Sequence, residues 1–135
     1  MEFQVNTNGF SDIIDITEKV QEKVKASKTK DGIALVFVLG STAGIASIEY
    51  EEGAIEDFKE VFEKIAPSKG SYCHEKDWHD SNGFSHVRAG LLKPSLTLPV
   101  EDGKILLGKW QRIVLVDFDN KKRERTVMVK AVKTN

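Results

Sequence analysis

A chain of 135 residues is long enough to bury a core without disulfides or a structural metal. Its 20 basic and 21 acidic side chains nearly cancel, for a formal net charge of −1, which excludes nucleic-acid binding through bulk positive charge. Cys73 is the only cysteine, so an intrachain disulfide is excluded.

Residues 2–6 alternate in polarity and predict a first strand, followed by the turn signal Asn8-Gly9 and a second strand over 10–16. Thr17 has the chemistry of an N-cap, and the four-residue spacing of Val20 and Val24 predicts an amphipathic helix over 17–27. The unbroken apolar run 33–39 predicts a strand buried on both faces. Gly40-Ser41-Thr42-Ala43-Gly44 interrupts it, and a strand resumes at 45–50. Ile55, Phe58, Val61, Phe62 and Ile65 recur at helical spacing over 54–65, and Pro67 ends that helix.

Residues 67–85 read as a long polar connection, and such loops are usually functional. Residues 86–92 predict a short helical or extended turn before Pro94. Strands at 95–100 and 104–107 flank Glu101-Asp102-Gly103, and strands at 109–118 and 123–132 surround Asp119-Asn120. Many strands, hairpin signals and two main helices, without regular strand–helix alternation, predict one α+β domain spanning 1–135, an antiparallel sandwich. No apolar run reaches the ~20 residues of a membrane-spanning helix. The start Met1-Glu2-Phe3-Gln4 lacks the features of a signal peptide, so the expected location is the cytoplasm, away from membranes.

The candidate site begins with His74 and His86, 12 residues apart in the polar region. Neutral imidazoles are favoured ligands of zinc and related metals, and they also serve as plain hydrogen-bonding loop residues. A catalytic zinc site wants three protein ligands, and the third would come from His79, Glu49, Asp80 or Glu75. In the small-residue loop, Gly40 lets a phosphate approach the backbone while Ser41 and Thr42 offer hydroxyls; a tight bend is the plain structural alternative. Arg88 suits a phosphate through paired donors, and Lys93 follows it; pairing with acids is the alternative for both. Trp110 reads as core or interface packing, Cys73 as structural, and Lys121-Lys122-Arg123-Glu124-Arg125 as a solvated hairpin end.

Several segments in fixed order resemble the YjbQ-like family, often labelled secondary thiamine-phosphate synthase. They are Gly40-Ser41-Thr42-Ala43-Gly44, Tyr72-Cys73-His74, Asn82-Gly83-Phe84-Ser85-His86, Leu91-Leu92-Lys93-Pro94-Ser95-Leu96-Thr97-Leu98-Pro99-Val100, Leu107-Gly108-Lys109-Trp110-Gln111 and Val116-Asp117-Phe118-Asp119-Asn120. Gly-Ser-Thr-Ala in place of His-Thr-Thr-Ala resembles an archaeal-type subgroup. The resemblance implies an α+β subunit forming a homotrimer, and an activity joining an aminopyrimidine diphosphate to a thiazole phosphate. It further implies catalytic roles for His86 and Arg88, and a divalent metal, zinc or magnesium, on His74 and His86. Gly40 stands where the family's first metal histidine would be, which motivates the alternative of a metabolite-binding or assembly protein that has lost the metal.

Overall fold

The structure, a computed structural model, describes residues 1–134. In chain order the elements are β1 (Glu2–Thr7), β2 (Asp12–Asp15), α1 (Thr17–Ala26), β3 (Gly32–Val38), β4 (Ala43–Glu49), α2 (Glu52–Ile65), α3 (His74–Trp78), α4 (Gly83–Leu92), β5 (Ser95–Glu101), β6 (Lys104–Ile105), β7 (Gln111–Asp117) and β8 (Arg123–Lys133). They build one antiparallel sheet in the order β1-β8-β3-β5-β6 and another in the order β2-β7-β4.

The two-residue period of a strand sets the layering. In the larger sheet Val5, Ala34, Val36, Val38, Leu98, Val100, Val127 and Val129 point inward. They meet Ala43, Ile45, Ile113 and Leu115 from the smaller sheet, and Val20 and Val24 of α1 join this core. Strand β7 is buried on both faces. Ile113 and Leu115 face the larger sheet, while Val114 and Val116 face a second core with Phe62 of α2, Ala89 of α4 and Phe118. The result is three layers: sheet, sheet, helices.

The apolar run 33–39 was expected to be covered on both sides, and it is not. Ile33 and Leu35 are 43% and 37% exposed. Helices α2 and α4 pack on the smaller sheet, so the two-sided burial falls to β7. The helix count also exceeds the expected two. The stretch read as a polar loop contains α3 and the first three residues of α4. Glycine hides this in the sequence: a side chain at Gly83 would meet Tyr72 Cβ at 2.5 Å, so the approach of α4 to the preceding segment requires its absence.

Thr17 does not cap α1. Its hydroxyl donates to Asp15 Oδ1 at 2.7 Å and accepts from the Ile113 backbone N at 2.8 Å, tying the helix start to β7. Helix α2 is capped by Glu51, whose carboxylate accepts from the backbone N of Gly53 and Ala54. It ends at Ala66, before Pro67.

The layering predicts unequal costs for two truncations. Leu115→Ala, at a position with no exposure, should cost about 2–5 kcal/mol in chemical denaturation. Val132→Ala, on the uncovered face, should cost under about 1 kcal/mol per isolated chain. Equal costs would contradict the placement of the core.

Candidate functional site

The site starts from how α4 lies on β4. Gly44 is the second residue of the strand: a Cβ there would meet the Lys93 carbonyl oxygen at 2.8 Å and Leu92 Cδ2 at 2.9 Å. With only hydrogen in that place, α4 closes onto the strand. His86, Ala89 and Gly90, three and four residues apart, share the helix face turned toward the β3–β4 loop. Gly40 in that loop has φ +124°, backbone that side chains rarely tolerate. Gly40, Ser41, Ala43, His86, Gly90 and Pro94 line an open cleft of about 310 Å³.

His74, the first residue of α3, brings its ring to His86, with centroids 4.4 Å apart at 54°. His74 Nε2 lies 3.0 Å from Asp80 Oδ1. The buried Asn82 amide stands between this pair and Asp119. In one orientation it donates to Asp119 Oδ1 at 3.3 Å. Turned over, it donates to Asp80 Oδ1 at 2.9 Å and to His74 Nε2 at 3.0 Å, so the amide can serve either side.

Behind the loop lies a buried polar network that sequence reasoning missed. Asp117, with no exposure, accepts from Arg125 through both carboxylate oxygens, at 2.7 Å from Nε and 2.8 Å from Nη2. Thr7 Oγ1 donates to Asp117 at 2.6 Å, and the Asp119 backbone N donates at 3.0 Å. Thr42 Oγ1 accepts from Arg125 Nη2 and donates to Asp119 Oδ2, which also accepts from Arg123 Nε at 2.9 Å. Burial pushes the Asp119 carboxyl up, but bonds from the Asn120 backbone and Arg123 outweigh it and hold the group below its ordinary value of 3.8. The available signal was two aspartates in the apolar run Val114-Leu115-Val116-Asp117-Phe118-Asp119, because buried carboxylates need partners.

This network redistributes the expected site residues. Gly40 and Ser41 lie in the cleft with His86. Thr42 does not join them, because it is buried with its hydroxyl engaged by Arg125 and Asp119. Arg88, expected beside His86, points elsewhere: two residues along a helix is about 200° around its axis. Its guanidinium donates to the Ala66 carbonyl (2.9 Å), Ser11 Oγ (2.9 Å) and Glu63 Oε2 (2.7 Å), pinning α4 to the end of α2. Bonds from the Ser68 backbone and Arg88 hold the Glu63 carboxyl below its ordinary value. Lys93 is exposed at the end of α4, beside Pro94.

Among the candidate third ligands, Glu49 ends β4 at the far side from Ala43, six residues or roughly 20 Å along the strand. His79 is exposed and left-handed after α3, and Glu75 accepts from the Gly83 backbone N at 2.7 Å. Asp80 alone reaches His74. Among the described residues no three histidine, cysteine or carboxylate side chains converge as a metal cage. The side chains present therefore do not fit a three-ligand centre.

Other expectations also shift. Trp110 is 64% exposed, with Lys109 Nζ 4.8 Å from its ring, so it is not core. Cys73 is exposed at the start of α3. The basic run is only partly a solvated end, since Arg123 and Arg125 are bound to Asp119 and Asp117.

A family model, UPF0047 protein YjbQ-like, matches residues 1–134. The chain belongs to the YjbQ-like UPF0047 family. A UPF0047 protein of Archaeoglobus fulgidus is 40% identical over 132 residues, covering 98% of this chain and 100% of that protein. One from Methanocaldococcus jannaschii is 32% identical, covering 90% and 86%. A crystal structure of a family member of unknown function from Sulfolobus solfataricus is similar at TM-score 0.93 and 33% identity, covering 99% and 96%. One from Clostridium acetobutylicum follows at TM-score 0.89 and 34% identity, covering 98% and 99%. The antiparallel α+β architecture is thus shared with these YjbQ-like structures. No described helix is long and apolar enough to cross a membrane.

Asp117→Asn removes the charge facing buried Arg125 and should destabilise the protein by about 3–5 kcal/mol in denaturant titration. Asp119, Asp15 and Glu63 all have lowered values in the folded state. Their stabilisation is therefore present above the ordinary carboxylate range and lost as pH falls below it. The melting temperature should hold between about pH 5 and 7 and drop below about pH 4. Asp119→Asn should lower it at neutral pH and narrow its gap to the native protein in acid.

Proposed function

We propose that this protein is an enzyme acting on phosphorylated small molecules in the cleft between His86 and the Gly40–Ser41 turn. The reading is supported above all by one juxtaposition: the small-residue turn and His86 line one opening, and the His74 ring, from a third chain segment, lies against the His86 ring. Backbone N–H groups and the Ser41 hydroxyl suit phosphoryl oxygens, and His86 is placed to hold or move a proton beside them.

The family resemblance points to a thiamine-phosphate synthase-like transfer. In that reaction the ring nitrogen of a thiazole phosphate forms a bond to the methylene carbon of an aminopyrimidine diphosphate. The carbon–oxygen bond breaks, and pyrophosphate leaves with the electron pair. No oxidant or reductant is needed. The protein's part is to hold both phosphorylated reactants and stabilise the charge on the departing oxygens.

A second reading is a metabolite-binding or assembly protein without catalysis. Gly40 in place of histidine and the lack of a three-ligand cage among the described residues favour it. The two readings part in one assay. On the first, purified protein joins the two thiamine precursors, and His86→Ala lowers turnover by roughly 100-fold or more. On the second, the precursors raise the melting temperature but no product exceeds the variant's background. Elemental analysis should find metal well below one ion per chain; a chelator-removable stoichiometric ion would revive the metal-assisted version.

The homotrimer implied by the resemblance is proposed as well. It is supported by the uncovered apolar face of the larger sheet, where Ile33 pairs with Val132 and both are exposed. Light scattering should give three times the chain mass, and a monomer would exclude it.

A further inference from the structure

Arg125 is 7% exposed, yet it is not fully used. A guanidinium has five N–H donors. Nε donates to Asp117 Oδ2, and Nη2 donates to Asp117 Oδ1 and Thr42 Oγ1. The two N–H groups of Nη1 donate no hydrogen bond among the described residues. No buried side-chain nitrogen or oxygen among those residues lacks a partner, so Nη1 must reach solvent. Its place is fixed by the turn: a Cβ on Gly40 would sit 2.7 Å from it. Gly40 is exposed and lines the cleft with Ser41 and His86.

We propose that Arg125 Nη1 is the anion hook of this cleft, that it takes a phosphoryl group, and that Gly40 is there to leave it uncovered. This deepens the reading of the cleft as a site for phosphorylated molecules, and rests on it. Three features carry the class of ligand. The planar fork of the guanidinium, Nε with Nη2, suits a carboxylate, and Asp117 already fills it. What remains is a pair of N–H groups on one nitrogen, beside the turn whose Gly40 and Ser41 line the cleft with the His86 imidazole. Donors converging from several directions suit a tetrahedral oxyanion better than a flat one. The charges also allow it: Arg123 and Arg125 balance Asp117 and Asp119, so nothing in the network opposes an incoming phosphate by excess negative charge. The bidentate pair with Asp117 holds the guanidinium in place before any ligand arrives.

The glycine follows from the same geometry. Any side chain at position 40 would displace Nη1 or cover it. A family pattern with histidine at this position and one with glycine would thus present different groups to the same cleft, an imidazole in the first and the guanidinium in the second.

The test is titration of the full chain with inorganic phosphate, pyrophosphate and acetate at constant ionic strength, followed by NMR of arginine side-chain and histidine ring resonances. Saturable phosphate and pyrophosphate shifts at Arg125 and His86 are expected, with acetate at least tenfold weaker. Gly40→Ala and Arg125→Lys should each weaken phosphate at least tenfold, checked on protein that still melts cooperatively. Absence of saturable phosphate binding, or shifts that bypass Arg125 in the native protein, would overturn the proposal. So would binding unchanged in both variants, or acetate binding as tightly as phosphate. The native-protein shifts stand alone if a variant does not fold. Phosphate held by Arg125 without turnover of the thiamine precursors would reject the transferase reading while leaving the hook in place.

Discussion

The buried pair between Asp117 and Arg125 holds together what the rest of the molecule arranges. Asp117 ends β7 in the smaller sheet, and Arg125 is the third residue of β8 in the larger one, so the pair spans the two layers where the chain crosses between them. A carboxylate with no exposure is strongly disfavoured unless its oxygens are bonded, and this one accepts from Arg125, Thr7 and the Asp119 backbone. Well-packed apolar residues of similar volume often match a buried ion pair in stability. They would not fix the direction of a guanidinium or the position of Thr42.

That fixed direction links core to cleft. Thr42 follows the exposed turn and is locked into the network, so residues 40 and 41 are held at the cleft wall. Across the opening, α4 reaches β4 because Gly44 leaves room, and His86 is set by that contact. Asn82 lies between Asp119 and the His74–Asp80 pair, so the same polar cluster extends toward the second imidazole. Arg88 anchors the opposite side of α4 to α2, and this contributes to the site by positioning the helix.

Much of this was legible from residues alone, and the failures share a cause. Strand alternation located most of the sheet segments, and His74 and His86 were chosen together and do meet. Proximity in sequence and the family resemblance both point Arg88 toward the site of His86, whereas helical rotation turns it to Ala66, Ser11 and Glu63. Thr42 was grouped with Ser41, although one faces the network and the other the cleft. The run 33–39 and β7 are both apolar, and composition does not say which sheet the helices will cover. Arg125 looked like one cation in a solvated hairpin, because its partner lies across a turn whose path the local pattern does not specify.

From the sequence alone came the class of architecture, the strand and turn order, the absence of an intrachain disulfide, the small-residue turn and the pair of histidines. These depend on local period, backbone freedom and residue chemistry, which short segments carry with them. Tertiary packing decided which strand is covered twice, which arginine is bound to Glu63 at the helix junction, and which one keeps a free edge beside Gly40. Those outcomes depend on contacts between residues far apart in the chain, such as Arg125 with Thr42, 83 positions away, and Asp117 with Thr7, 110 positions away. Only the closed chain brings such partners within hydrogen-bonding reach.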